Sequence, residues 1–486
     1  MSVVLRRFRG AKQNWKQDVA LSPDTTKPFV QKLLCLIGLK YYRFELHLDM
    51  DWAVIAPGIF SLEIHDEQSG RTFHFRAAPD ALGLFGGPIA RTFFVFTEPS
   101  VQVVRIELHA LDRHAIQRLT AKGQSALCPD PVCILGEYPD TARDNGFALF
   151  SALQNIPQTM KSFYIIDERN ADNLDTGINN VLAWGSEAHI AACLDASVCA
   201  FTHHRHYVYP AILSHIAKDR YDRTQTVFLQ HGVMAMKGGT VLNHYHRKRV
   251  DYDAVIVSSP REKTVFVKHF GYAAPSVHVT GLSRLDRLYN QASDRQIVKN
   301  QILVAPTWRP GLDRMSPDQI ETDPYTLQWS LAIQDMKNNG LHPILIGHQI
   351  LRDHVTSLEN SAAESRTSKR FQETLLQSCA LVTDYSSVAW DALYIGRPAF
   401  LFQFDRERVK FSQNAFITEQ NLPGPVDDNA KSLVARLISA AANDWTFDAW
   451  PQREAAFQFI DAGNTERTIK LITRMAHSGA GDTRPL

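Results

Sequence analysis

The stretch 380-ALVTDYSSVAWDALYIGRPAFLFQFD-405 decides the fold. Its apolar run 380–384 reads as a short buried strand that stops at Thr383 and Asp384. Tyr385 turns the chain, and Ser386 and Ser387 stand where a helix N-cap belongs. Val388, Trp390, Ala392 and Leu393 continue as a helix, Gly396 ends it, and Arg397-Pro398 opens a second apolar strand over 398–404. Strand, turn, helix and strand in this order predict a parallel βαβ unit covered on both faces. The helix start carries unpaired N–H groups and the positive end of the macrodipole, and the serines add two hydroxyl donors. That suits a diphosphate, although a plain capped helix would read the same way.

Outward from this unit, the same alternation recurs. Apolar runs at 131–136, from Phe163, at 226–230, 254–259, 277–281, 301–306 and 342–347 each precede a polar turn and a helical pattern. This is a doubly wound α/β series with enough strands for two units, broken near the polar stretch 289–300. Before residue 125 the period changes to two: Phe44, Leu46 and Leu48, then Leu62 and Ile64, then Val104, Ile106 and Leu108 alternate with polar residues. The expected architecture is α/β, with two doubly wound Rossmann-like domains facing a cleft and a small antiparallel β-sandwich before them. The expected domains are 1–125 (β-rich, with a basic start), 126–295 (first Rossmann-like, acceptor side), 296–478 (second Rossmann-like, donor side, with closing helices) and a tail, 479–486.

Composition narrows the class. Lys plus Arg number 52 against 51 Asp plus Glu, so no global charge draws the chain to nucleic acid. None of the six cysteines forms a C-x-x-C pair, which fits buried thiols in a reducing compartment. No apolar run reaches the roughly 18 residues of a membrane span, and the start lacks a signal-peptide core. A cytoplasmic location is expected. The start is basic at Arg6, Arg7, Arg9, Lys12 and Lys16, a frayed terminus or a weak peripheral contact with anionic lipid at the inner face of the plasma membrane.

Ligands in doubly wound folds bind beyond the carboxyl ends of the strands, so residues there carry the chemistry. In 228-FLQHGVMAMK-237, His231 follows a strand and Gly232 lets the backbone approach a ligand. In 342-HPILIGHQ-349, His348 ends a buried strand. In 305-APTWRP-310, Arg309 offers a bidentate phosphate contact. In 280-TGLSRLDRL-288, Arg284 and Asp286 fall between the two units. Either histidine alone reads equally as structural; their joint placement at strand ends favours a transferase. His203, His204 and His206 lack a clear fourth ligand and read as lining rather than as a metal centre. No metal site is expected. The basic run 244-HYHRKR-249 reads as a solvated face or a contact for an anionic polymer. No Walker motif and no strand-to-helix G-x-G-x-x-G is present.

The order Q-H-G, G-x-S-R-x-D, P-T-W-R, a strand-end His, then T-D-Y-S-S with a following Asp and G-R-P, resembles the CDP-glycerol glycerophosphotransferase family. Those are teichoic-acid and capsule polymerases and primases of the two-Rossmann GT-B fold. The segment 136-GEYPDTARDNGFALF-150 resembles that family's entry into its first Rossmann domain, and the likeness spans about residues 130–450. Val233 and Met234 stand where the family commonly has Thr-Pro. The resemblance implies His231 as general base toward an acceptor hydroxyl, and His348 with Arg309 steadying the phosphate. It implies Thr383, Ser386 and Ser387 at the diphosphate, Asp391 at donor hydroxyls or bracing the loop, and Arg284 with Asp286 in a donor-binding or structural role. It implies transfer of glycerol phosphate from CDP-glycerol to a polymeric or lipid-linked saccharide acceptor, with CMP released. No tightly bound cofactor is implied, and Mg²⁺ would arrive only with the nucleotide. The alternatives are a CDP-ribitol user, a GT-B sugar glycosyltransferase, and a polymer-binding adaptor with a degenerate core.

Overall fold

A computed structural model describes residues 103–478 apart from 126–129, 157–159, 175–177, 235–242, 308, 310–311, 313–314, 348–360, 368–369, 408–420 and 447–449. Before these it describes 2–7, 14–18, 57–66, 71–74, 83–86 and 92–98. The alternation at Phe44, Leu46 and Leu48, the basic residues Arg9 and Lys12, His348 and the 479–486 tail lie outside the described residues.

The N-terminal strands are β1 (Ser2–Arg7), β2 (Asn14–Asp18), β3 (Gly58–Asp66), β4 (Arg71–His74), β5 (Gly83–Gly86), β6 (Thr92–Glu98) and β7 (Val103–His109). They pair antiparallel in the order β2-β1-β3-β7-β6-β5, with β4 on β3. Phe60 faces Ile106 and Val95 faces the same residue from the other side. Arg105 and Glu107, the polar partners in the alternation of β7, are buried as well, and both are paired. Arg105 reaches Glu98 at 2.7 Å, and Glu107 accepts the Ala211 and Ile212 N–H groups at 2.7 and 3.0 Å.

The second sheet holds β8 (Val132–Gly136), β9 (Lys161–Ile166), β10 (Val181–Ala183), β11 (Ala196–Phe201), β12 (Gln225–Phe228), β13 (Ala254–Val257) and β14 (Val277–Val279), in the order β10-β9-β8-β11-β12-β13-β14. The third holds β15 (Gln301–Ala305), β16 (His342–Leu345), β17 (Glu364–Ser365), β18 (Ala380–Thr383), β19 (Ala399–Phe402) and β20 (Val426–Asp427), in the order β17-β16-β15-β18-β19-β20. All of its pairs are parallel. The order reverses direction at β15 and β18, so the loops after these two strands flank a topological switch point. The core of this sheet is closed by Trp329 and Ile333 from the helix Pro324–Asn338 and by Leu433 and Leu437 from the helix Ala430–Ala442, against Ile302, Val382 and Phe400.

The opening stretch folds as read: β18, the helix Val388–Tyr394, then β19, with Gly396 at φ 71° ending the helix in the left-handed conformation that glycine adopts without strain. The chain divides into two compact units, one of Met1–Ala142, Phe163–Cys199 and His204–Thr224, the other of Arg143–Ser162, Ala200–His203 and Gln225–Leu486. Among the described residues no helix is long and apolar enough to cross a membrane.

Candidate active site

The site lies within the second unit and begins where β12 ends. Leu229 N–H continues the strand pairing to Phe201 O at 2.8 Å. Gln230 then takes a left-handed φ of 58°, uncommon for a residue with a side chain, and its buried amide donates to Ile256 O. This turn delivers His231, whose side chain is 63% exposed, against the nearly buried Asp144. Nδ1 of His231 meets Asp144 Oδ2. A carboxylate only accepts, so Nδ1 carries the proton and Nε2 keeps its lone pair. Asp144 is itself fixed as N-cap of the helix Asn145–Gln154, where its Oδ1 accepts the Asn145 N–H at 2.8 Å.

Asn145 ties two loops together. Its amide donates to Gln230 O at 3.0 Å, and its Oδ1 accepts the Arg284 N–H at 3.0 Å. The Arg284 guanidinium grips Asp391 with both terminal nitrogens, Nη2 to Oδ1 at 2.7 Å, and its Nε lies 3.4 Å from Asp144 Oδ1. One buried arginine therefore joins the carboxylate behind His231 to the helix that starts at Ser387. At Gly232 the backbone runs so close to that helix start that an added Cβ would stand 2.8 Å from Ser387 Oγ. His231 and the paired serines are thus neighbours. Ser386 Oγ accepts the Val388 N–H at 3.4 Å, and Ser387 makes no capping bond with its side chain.

The remaining residues read from the sequence are held differently. Thr383 is buried and donates to Ala305 O at 2.6 Å, locking β18 to β15. Arg309 pairs with Asp384 and Asp405, each at 2.8 Å, donates to Thr307 O at 3.0 Å, and sits over Tyr325, 4.5 Å from the ring centre. Asp384 also accepts the Thr307 and Tyr385 N–H groups. Burial pushes the Asp384 carboxyl above its ordinary value, against the pull of Arg309. Arg309, Tyr325, Asp405, Asp427 and Arg436 line a cavity of about 1320 Å³ beside the third sheet. Asp286 turns to the C-terminal helix Asn464–Ser478 and accepts the Asn464 and Thr465 N–H groups at 3.1 and 2.7 Å, a carboxylate at a helix N-terminus. The structure thus gathers His231, Ser386, Ser387, Arg284 and Asp391, and sets Arg309, Thr383 and Asp286 apart as anchors of their own loops.

Asp144 and Asn145 were not singled out in the sequence as parts of this site, and His203 was read only as surface or lining. The Asp-Asn-Gly that precedes an apolar helix marks a cap, which would have placed Asp144 at a helix start. The run 203–206 divides: the ring centre of His203 lies 4.7 Å from that of His231, whereas His204 and His206 lie 3.8 and 4.0 Å from Glu98. Among the described residues, Asp144, His203 and His231 bring potential metal-ligand atoms within 4.8 Å of one another.

Two doubly wound parallel sheets behind an antiparallel β region make this an α/β protein of the GT-B class. The model of the CDP-glycerol:poly(glycerophosphate) glycerophosphotransferase family matches residues 126–474, and the chain belongs to that family. It is 23% identical over 371 residues to the minor teichoic acid biosynthesis protein GgaB of Bacillus subtilis (strain 168), covering 71% of this chain and 40% of that protein. It is 22% identical over 213 residues to a teichoic acid glycerol-phosphate transferase of Staphylococcus aureus (strain NCTC 8325 / PS 47), covering 40% of this chain and 53% of that one. It is 25% identical over 245 residues to a teichoic acid ribitol-phosphate primase of Bacillus spizizenii (strain ATCC 23059 / NRRL B-14472 / W23), covering 47% and 61%. The matches thus span 40% to 61% of these relatives' own lengths. Among solved structures, the wall teichoic acid polymerase TagF superposes with a TM-score of 0.58 at 16% identity, covering 76% of this chain and 95% of that one. This likeness shows the shared fold.

Proposed function

We propose that the chain transfers glycerol phosphate from CDP-glycerol to a hydroxyl of a teichoic-acid or capsule polymer, or of its lipid-linked primer, and releases CMP. The observation that carries this reading is the Asp144–His231 pair beside the Ser386–Ser387 helix start. Nε2 of His231 takes the proton of the acceptor hydroxyl. The resulting oxygen attacks the glycerol-bearing phosphorus in line, and the bond from that phosphorus to the bridging oxygen breaks with CMP as leaving group. Ser386 and Ser387, with the N–H groups behind them, meet the negative charge of the diphosphate. Such preorganised donors are usually the largest catalytic term. Asp144 holds the base in its working tautomer, and Arg284 with Asp391 braces the two loops. Arg309, paired with Asp384 and Asp405, fixes the wall of the cavity beside the third sheet. His348 is assigned to the transferring phosphate through the family pattern. Contact with the acceptor polymer, and with the membrane through the basic N-terminus, belongs to the same proposal.

CDP-ribitol is the second donor to test, because relatives named as a ribitol-phosphate primase and a poly(ribitol-phosphate) polymerase are as similar as the glycerol-phosphate ones. The deciding experiment supplies CDP-glycerol, CDP-ribitol and UDP-sugars with a lipid-linked acceptor and identifies the released nucleotide. Release of CMP that depends on His231 supports polyol-phosphate transfer. Release of a nucleoside diphosphate from a sugar donor would replace it with glycosyl transfer.

A further inference from the structure

We infer that Asp144, His203 and His231 form a site for one divalent transition-metal ion of the zinc class, and that this ion and the proton shared by Asp144 and His231 exclude one another. Two imidazoles and one carboxylate are a borderline-soft donor set, preferred by zinc and its neighbours over magnesium or calcium, which favour oxygen. Their potential ligand atoms already lie within 4.8 Å of one another, so modest side-chain movement brings all three to the roughly 2.0–2.2 Å of zinc–nitrogen and zinc–oxygen bonds.

The surroundings resemble a prepared ligand set. His203 is buried, and its Nδ1 lies 2.7 Å from Thr202 Oγ1, an outer partner that fixes the ring. Asp144 is anchored by the Asn145 N–H and by Arg284. The rings of His203 and His231 are tilted by 40° rather than stacked, as two imidazoles converging on one point would be. Three protein ligands leave a position for water or a ligand oxygen, and the exposure of His231 puts that position within reach of solvent.

The proton balance follows from the hydrogen bond. Without metal, the His231 Nδ1 proton lies between the imidazole and Asp144. A cation bound to both atoms takes the Nδ1 lone pair and the carboxylate oxygen, so the one proton of the neutral ring moves to Nε2. A His231 ring ligated through Nδ1 therefore carries its proton on Nε2 and cannot act as a base there. Where the transfer reading of the preceding subsection holds, zinc is therefore an inhibitor that competes with the working tautomer.

The test uses the full chain, stripped with a chelator and dialysed. Zn²⁺ is titrated against a chromophoric competitor. Wild type should bind one Zn²⁺ per chain. His203→Ala should weaken binding by more than about 100-fold, beyond the effect of losing an outer partner. His203→Cys, which restores a zinc ligand, should regain binding, and Mg²⁺ in the same range should not displace Zn²⁺. Unchanged affinity in His203→Ala, or a folded His203→Cys that takes no zinc, would each overturn the assignment. These readouts need no transfer assay, so their failure leaves the transferase reading standing, and a failed transfer assay leaves the zinc result standing.

Discussion

Gly232, next to His231, stands where a side chain would run into Ser387, since a Cβ there would stand 2.8 Å from Ser387 Oγ and 3.2 Å from its Cβ. The requirement is steric and sits at the meeting point of the base and the serine pair. Gly232→Ala should therefore leave the fold intact, yet push the serine hydroxyl or His231 out of place. A displacement of about 1 Å near the chemistry costs on the order of 10²-fold, to be read as kcat/KM for glycerol phosphate transfer. An alanine variant as active as wild type would detach the serine pair from the reaction.

Asp144→Asn separates charge from structure. Asparagine caps helices as well as aspartate, so the helix Asn145–Gln154 should keep its stability in thermal unfolding. The carboxylate that holds the Nδ1–H tautomer is lost, and turnover should fall by about 10²–10⁴. Because the change acts on the chemical step, kcat should drop with little change in KM.

The buried Arg284–Asp391 pair should show strong coupling. Removing one partner leaves a charge without compensation, at a cost of about 3–5 kcal/mol for Asp391→Leu or Arg284→Met alone. The double variant should recover much of that loss, and chemical denaturation around the full cycle measures the difference. Arg284→Lys should not rescue, since an ammonium cannot reproduce the two-pronged grip on Asp391 while reaching Asp144.

His189 gives the expected pH response. Its Nδ1 accepts the Gly185 N–H at 3.0 Å and its Nε2 proton goes to Val208 O at 2.9 Å. Burial pushes its pKa from 6.5 down to about 3, only partly offset by the Val208 carbonyl. The unfolded chain binds this proton more readily than the folded one. The contribution to stability is therefore complete above pH 6.5 and is lost as pH falls toward 3. Denaturation midpoints across that window should fall less steeply in His189→Gln than in wild type.

Much of this architecture was legible because buried parallel strands are short apolar runs that end in polar turns. β18, the helix after it and β19 were readable to within one or two residues, as were β12, β13 and β15. β11 was not, because the helix Glu187–Asp195 passes directly into Ala196–Phe201 with no Gly or Pro between them. His231, the serine pair and Arg284 were found because each sits in its own strand-end motif. Asp144 escaped because its partner lies 87 positions away, and a hydrogen bond between side chains so distant leaves no local pattern. Arg309 was legible as a cation at a strand end. Its pairing with Asp384 and Asp405 was not weighed, although both acids lie in the stretch that decided the fold.

The single helical turn that carries Arg284 and Asp286 reaches back to Asp144 and forward to Asp391, Asn464 and Thr465. During synthesis the chain emerges from its N-terminus, so the site cannot close when residue 284 appears. Until residue 465 has emerged, Asp286 lacks both of its N–H partners, and the carboxylate that belongs in a buried niche stays in water. The niche of Asp286 is therefore completed only when nearly the whole chain has been made, long after the strand that carries His231 has emerged.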